Sequence, residues 1–134
     1  MNKLRWLFAS WLVASGSVLA ITSDQDDLIG AAATDFSQMQ MGKPVAFRQV
    51  YGGQFGDEQT GWRSLLCGEY QTIDSSGITS WQPFATIKTS PYEQWLGQAS
   101  ATYCQSPMSK LERSQDLSEA LFQQFQQLVA KPTP

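Results

Sequence analysis

Hydrophobic positions in the first half of the chain recur first at helical and then at strand spacing. One apolar stripe follows steps of four, four and three residues: Leu28, Ala32, Phe36 and Met39. This spacing places the four side chains on one face of a helix. Acidic residues at positions 24, 26 and 27 suit its N-terminus, and Gly42 and Pro44 end it after about Gln40.

Three segments alternate between apolar and polar residues, as strands do: residues 45–51, 62–73 and 78–88. The turn at residues 74–77 predicts that the last two form an antiparallel hairpin. Pro83 cannot donate a ladder hydrogen bond, so we expect its strand to be bulged there or to lie at an edge. Residues 55–61 are predicted to form a turn-rich, acidic loop. It is not predicted to bind phosphate, because its glycines match neither phosphate-loop pattern and Asp57 and Glu58 would repel phosphate.

Capping motifs predict the helices of the second half. Residues 90–93 read SPYE, an N-cap serine, a proline and a glutamate that favour a helix to about residue 103. Two further boxes lie at residues 109–112 and 116–119, and the second opens an amphipathic helix. The apolar face of this helix is expected to dock on the sheet. The alternative is that the helix, whose other face is rich in glutamine, binds a partner. The predicted fold is α+β, with a three-stranded antiparallel sheet packed by N-terminal and C-terminal helices.

The first twenty residues have the pattern of a signal peptide. Lys3 and Arg5 precede an apolar run, and small residues lead up to Ala20. An uncleaved membrane anchor is the alternative, but the run is short for a span and is interrupted by serine and glycine. We therefore predict a signal peptide at 1–20, one domain at 21–131, a frayed tail at 132–134, and a periplasmic or secreted protein without a stable membrane anchor.

Composition removes several function classes. The 134 residues include no His, which excludes Ser-His-Asp and Cys-His catalysis and His-ligated zinc; no metal or cofactor is expected. The formal charge of −3 argues against nucleic-acid binding. In an oxidising compartment, Cys67 and Cys104 are expected to form a disulfide. The alternative, a redox-active pair, lacks the CxxC spacing.

Several short motifs resemble a group of small exported proteobacterial proteins of unknown function. They are Phe47-Arg48-Gln49-Val50, Leu66-Cys67-Gly68-Glu69, Pro83-Phe84 and Tyr103-Cys104. The resemblance spans roughly residues 44 to 105. It departs at residues 70–71 and 78–81, where Tyr-Gln replaces Val-Asn and Ile-Thr-Ser-Trp replaces a glycine-rich turn. The resemblance implies a periplasmic or secreted disulfide domain and no particular activity.

Glu69 is the leading candidate for chemistry. With Asp57 or Glu58 it could act as one of two carboxylates that hydrolyse a glycan. The alternative is a structural ion pair with Arg48 or Arg63, which we favour.

The aromatic residues allow two interpretations, a binding surface or the hydrophobic core. Trp62, Tyr70 and Trp81 could form a binding surface, although aromatic residues in so small a domain more often build the core. We predict a non-enzymatic interaction or accessory protein whose partner is another envelope protein. The alternatives are a small carboxylate-dependent cell-wall hydrolase and an aromatic-lined ligand- or glycan-binding module.

Overall fold

The computed structural model describes residues 22–40 and 42–130. The predicted signal peptide at 1–20 and tail at 132–134 lie outside these residues. In chain order, the helices are α1 (Ser23–Ser37), α2 (Ala101–Cys104, entered through a 3-10 turn at Gly97–Ser100) and α3 (Ser118–Ala130). The strands are β1 (Pro44–Asp57), β2 (Gly61–Asp74), β3 (Gly77–Ile78), β4 (Gln82–Lys88), β5 (Tyr92–Leu96) and β6 (Ser109–Leu111). No helix in the two described ranges is long and apolar enough to cross a membrane.

The α+β class is confirmed, but the sheet has six strands rather than three. Its order is β5-β4-β2-β1-β6, all antiparallel, and β3 pairs separately with β2. The predicted loop at 55–61 is mostly strand, because β1 and β2 continue to Asp57 and Gly61. The Asp57 side chain accepts hydrogen bonds from Gln59 and Thr60 and closes this hairpin.

The helix predicted to run to about residue 103 is wrong over most of its length, and the capping box at residues 109–112 does not begin a helix. Residues 92–96 form β5 because they pair with β4, and Tyr92 and Trp95 have high strand propensity, so tertiary pairing overrides the capping motif. Only Ala101–Cys104 of that segment is α-helical. Residues 109–111 form β6 against β1, which comes close because Gly53 has no side chain: a Cβ there would lie 1.9 Å from the Lys110 carbonyl oxygen.

The predicted third strand is interrupted. Its two ends form β3 and β4, and residues 79–81 between them belong to neither. Pro83 lies in β4 just before the stretch that pairs with β5, so this part of β4 is an edge, as Pro requires.

The front face of the sheet carries the main core. Helices α1 and α3 cover it, and the stripe predicted for α1 supplies Leu28, Ala32 and Phe36. The Phe36 ring centroid lies 5.1 Å from those of Phe47, Tyr70 and Phe84, so one helical side chain joins three strands. The other buried members of this core are Ile29, Ala33, Val50, Leu66, Leu117, Leu121 and Phe125.

A β-bulge in β1 keeps this core continuous. Arg48 lies opposite Glu69 and Tyr51 opposite Cys67, so β1 uses one residue more than β2 over this interval. The extra residue lets Phe47 and Val50 both face the helices. Arg48 and Tyr51 consequently both face the other side of the sheet.

The back face has a smaller core under the segment from residue 97 to 111. Leu65, Cys67, Ala85 and Ile87 form its floor, and Tyr103, Cys104, Phe55 and Leu111 pack on them. The predicted disulfide is present: Cys67 and Cys104 are joined with a Cα–Cα distance of 5.9 Å. This bond fixes the covering segment to the central strand β2.

The disulfide is expected to contribute much of the stability of the domain. It links residues separated by 37 positions, and a closed loop of that size stabilises by about 4 kcal/mol in the chain-entropy account. The double variant C67A/C104A should therefore lose about that free energy of unfolding in urea denaturation. The unaltered protein with reductant serves as the control and should unfold at a similarly low urea concentration. An unchanged midpoint in both would contradict this prediction.

Local donors lower the pKa of four carboxyl groups. Hydrogen bonding and charge attraction from Lys88 lower the pKa of Asp24, tying α1 to β4. The backbone N–H and then the hydroxyl of Thr60 lower the pKa of Asp57. Ser76 and Ser114 lower the pKa values of Asp74 and Glu112 in the same way.

Stability should therefore fall in acid. Because these groups hold protons less tightly when folded than when unfolded, their contribution is complete above about pH 5 and is lost as the pH falls through the folded pKa values. In urea denaturation, the free energy of unfolding should be the same at pH 7 and pH 5 and lower at pH 3. Asp57→Asn should show a smaller decrease than the unaltered chain, and equal decreases would contradict the role given to this turn.

Candidate functional site

The covering segment leaves one end of the back face open, and a pocket lies there. Its floor is the disulfide with Gly68 and Pro83, and its volume is about 280 Å³. We call it the back-face pocket; its other lining residues are Gln49, Tyr51, Glu69, Gln105, Leu111 and Arg113. It therefore joins an apolar floor to a charged and amide-bearing rim.

An Arg–Glu–Trp cluster adjoins the pocket through Glu69, the member that lines it. Arg48 Nε donates to Glu69 Oε1 at 3.0 Å, as cross-strand neighbours on β1 and β2. The Arg48 guanidinium carbon also lies 4.3 Å from the centroid of a Trp81 ring. The side chains of Arg48 and Glu69 are 46% and 26% exposed, so the pair is accessible and adds little stability. This cluster is positioned to meet a ligand.

The pocket lining also includes an arginine that lies on an aromatic ring. The Arg113 guanidinium carbon lies 5.3 Å from the centroid of the Tyr51 ring. Within residues 22–40 and 42–130, Arg113 forms no ion pair, whereas Arg48 and Lys88 do. Its charge therefore faces the pocket without a carboxylate partner from the described chain.

One residue of the pocket rim, Gln49, has an uncommon backbone conformation. Gln49, the residue of the β1 bulge, has a φ of 52°, in the left-handed region that favours glycine. It is the only non-glycine residue with positive φ in the described part of the chain. Such a conformation costs on the order of 1 kcal/mol in a residue with a Cβ, and strain of this kind collects at binding sites.

Only part of the predicted Glu69 site is assembled. Arg48 pairs with Glu69, as one of the two predicted arrangements requires. Arg63 lies opposite Phe55, six residues along β2 from Glu69, or about 20 Å at strand spacing. Asp57 lies opposite Gly61, farther still, and Glu58 is in the adjoining turn. The acids proposed as partners of Glu69 therefore lie at the other end of the hairpin.

The three predicted surface aromatics do not form one surface. Tyr70 is a correction: it is only 8% exposed, packs in the front core, and burial raises its pKa. Trp62 is exposed and carries the ammonium of Lys110, 4.8 Å from its ring centroid, but alternation along β2 puts it on the front face. Trp81 stacks with Arg48, the ion-pair partner of the pocket residue Glu69.

Sequence reasoning does not single out Gln49, Gln105, Leu111 or Arg113, which all line the pocket. No local motif includes Arg113, so the sequence gives no sign of its approach to β1. The signal for Gln49 was available in part, since Phe47 and Val50 are both apolar yet three positions apart, a spacing that a regular strand cannot place on one face.

A larger cavity on the front side offers less chemistry. It encloses about 380 Å³ between α1 and the β4–β5 turn. Its charged lining residues are Asp27 and Lys88, which pair with each other at 3.4 Å, and the rest is largely apolar. The back-face pocket is therefore the stronger candidate site.

No protein-family model, curated protein sequence or solved structure matches this chain. The site therefore has to be interpreted from its own geometry.

The strain at Gln49 gives a stability prediction. In Gln49→Gly the left-handed conformation carries no Cβ penalty, which offsets the added chain entropy of glycine, so the free energy of unfolding should stay equal or rise by up to about 1 kcal/mol. Gln54→Gly is the matched control, because Gln54 is an exposed residue of the same strand whose φ is not positive. It should lose about 0.5–1 kcal/mol. Equal losses in the two variants by urea denaturation would contradict the assignment of strain.

Proposed function

We propose that this protein is an exported, non-enzymatic domain that binds another protein of the cell envelope through the back-face pocket. The observation that carries the proposal is a pocket, not filled by the described chain, whose lining includes Arg113 on Tyr51 and Glu69. Glu69 in turn holds Arg48, which stacks on Trp81. Arginine, tyrosine and tryptophan are the residues that most often dominate binding at protein interfaces.

The electrostatics of the pocket favour binding over hydrolysis. A two-carboxylate mechanism needs a second acid about 5–9 Å from the first. Glu69 is the one carboxylate among the pocket's lining residues, and Arg48 is its hydrogen-bond donor. An ion-paired acid of this kind is suited to hold Arg48 in place rather than to transfer a proton.

The proposal of export has separate support. A disulfide between Cys67 and Cys104 is expected to persist in an oxidising compartment. The signal-peptide pattern at 1–20 and the resemblance to small exported proteins lead to the same location.

Site-specific photo-crosslinking tests the proposed interface. A benzophenone amino acid replaces Gln105, an exposed residue at the pocket rim, and the crosslinked products are analysed from cells that produce the protein. We expect one discrete adduct with an envelope protein, carried by a chain that begins at Ile21. Arg48→Ala should decrease the yield of this adduct, because it removes the cation stacked on Trp81.

Gln126 is the matched control position, since it is an exposed glutamine on α3, across the sheet from the pocket. The same probe there should give no adduct. The interface proposal is wrong if position 105 gives none, or if both positions give the same products. A chain that retains residues 1–20 would overturn the proposal of export with cleavage.

A further inference from the structure

The positive charges around the back-face pocket outnumber the negative charges, which favours an anionic ligand. Glu69 offsets the charge of Arg48, whereas Arg113 has no carboxylate partner within the described ranges. The rim therefore carries one uncompensated positive charge. Gln49 adds a neutral side chain that can donate or accept a hydrogen bond.

We infer that the back-face pocket binds a carboxylate group of a polypeptide partner, with Arg113 as the charged donor and Gln49 as the neutral one. This inference rests on the proposed binding function and names the chemical group that the site recognises. The planar guanidinium presents paired N–H donors that match the two oxygens of a carboxylate.

The surroundings of Arg113 strengthen such a contact. The Tyr51 ring lies under the guanidinium, which limits the orientations that it can adopt. The disulfide and Pro83 add apolar atoms to the lining of the same pocket. A donor that is already held in place loses less entropy on binding.

The size and charge of the back-face pocket further limit the ligands that it can bind. A volume of about 280 Å³ suits one side chain or one chain terminus better than a larger cofactor. The Arg48–Glu69 ion pair adds no net charge, so the rim keeps one positive charge, which suits a single negative charge better than a phosphate dianion. A group with a single negative charge fits best.

The strain at Gln49 is consistent with this role. Glycine would occupy the bulge without a Cβ penalty, yet the chain places there a residue that carries an amide to the pocket rim. A role in binding explains why glutamine occupies a position whose backbone conformation favours glycine.

Amide NMR titration at neutral pH with three small probes tests the inference. N-acetyl-glycylglycine carries a chain-terminal carboxylate, N-acetylglutamic acid α-amide carries a side-chain carboxylate, and N-acetyl-glycylglycine amide carries neither. We expect saturable shifts at residues 49 and 105 with at least one of the carboxylate probes and none with the amide. Which of the two binds more tightly identifies the source of the carboxylate in the partner.

Variants then assign the donor. Arg113→Gln should weaken carboxylate binding at least tenfold, and Gln49→Gly should weaken it less, without a lower melting temperature. Lys110→Gln is the matched control, because it removes a nearby cation that lies over Trp62, and binding should not change. Since Arg113 is an exposed side chain, its variant should remain folded.

Three results would overturn the inference: no saturable shift with either carboxylate probe, equal binding of the neutral amide, or unchanged binding in Arg113→Gln. Tighter binding of inorganic phosphate would also overturn it. Any of these with a persistent crosslink at position 105 would leave the protein-binding function standing and remove only the carboxylate specificity.

Discussion

The disulfide between Cys67 and Cys104 is the constraint on which the back of this molecule depends. A central strand buried on both faces needs two covers, and the two longer helices are both on the front. The back cover is a short segment made of a 3-10 turn, one helical turn and the three-residue strand β6. Its covalent attachment to β2 is the disulfide, which also lines the pocket. The stability of the domain and the shape of the pocket therefore depend on the same bond.

Three consecutive residues of β2 show how closely the two faces are connected. Cys67 points to the back cover and Glu69 to the pocket rim, while Gly68 between them faces the front core. A Cβ on Gly68 would lie 2.7 Å from a Val50 methyl group and 2.8 Å from the Phe84 ring. The Cys-Gly-Glu motif therefore combines a crosslink, a close packing contact and a charged group through strand alternation alone.

The sequence allowed the parts of the fold with local signals to be predicted: the α1 stripe, the hairpin turn at 74–77, the start of α3 and the cysteine pair. The prediction failed at β5 and β6, because pairing with β4 and β1 outweighs the local preference of the capping motifs. The ion pair between Arg48 and Glu69 is one of the arrangements that the sequence predicts for Glu69. Arg113 could not be placed, since its approach to Tyr51 depends on the path of the chain after β6.

The bulge at Gln49 also affects how this protein meets other sheets. Strand β6 pairs with β1 only from Gly53 to Phe55, so the outer edge near Pro44 and Arg48 has no strand partner in residues 22–40 and 42–130. Open edges invite edge-to-edge aggregation, and proline, charge and bulges are the features that prevent it. This edge has all three, including a second irregularity between Pro44 and Ala46. The bulge that turns Arg48 and Tyr51 to the back face therefore also gives this edge one of the features that disfavour edge-to-edge pairing.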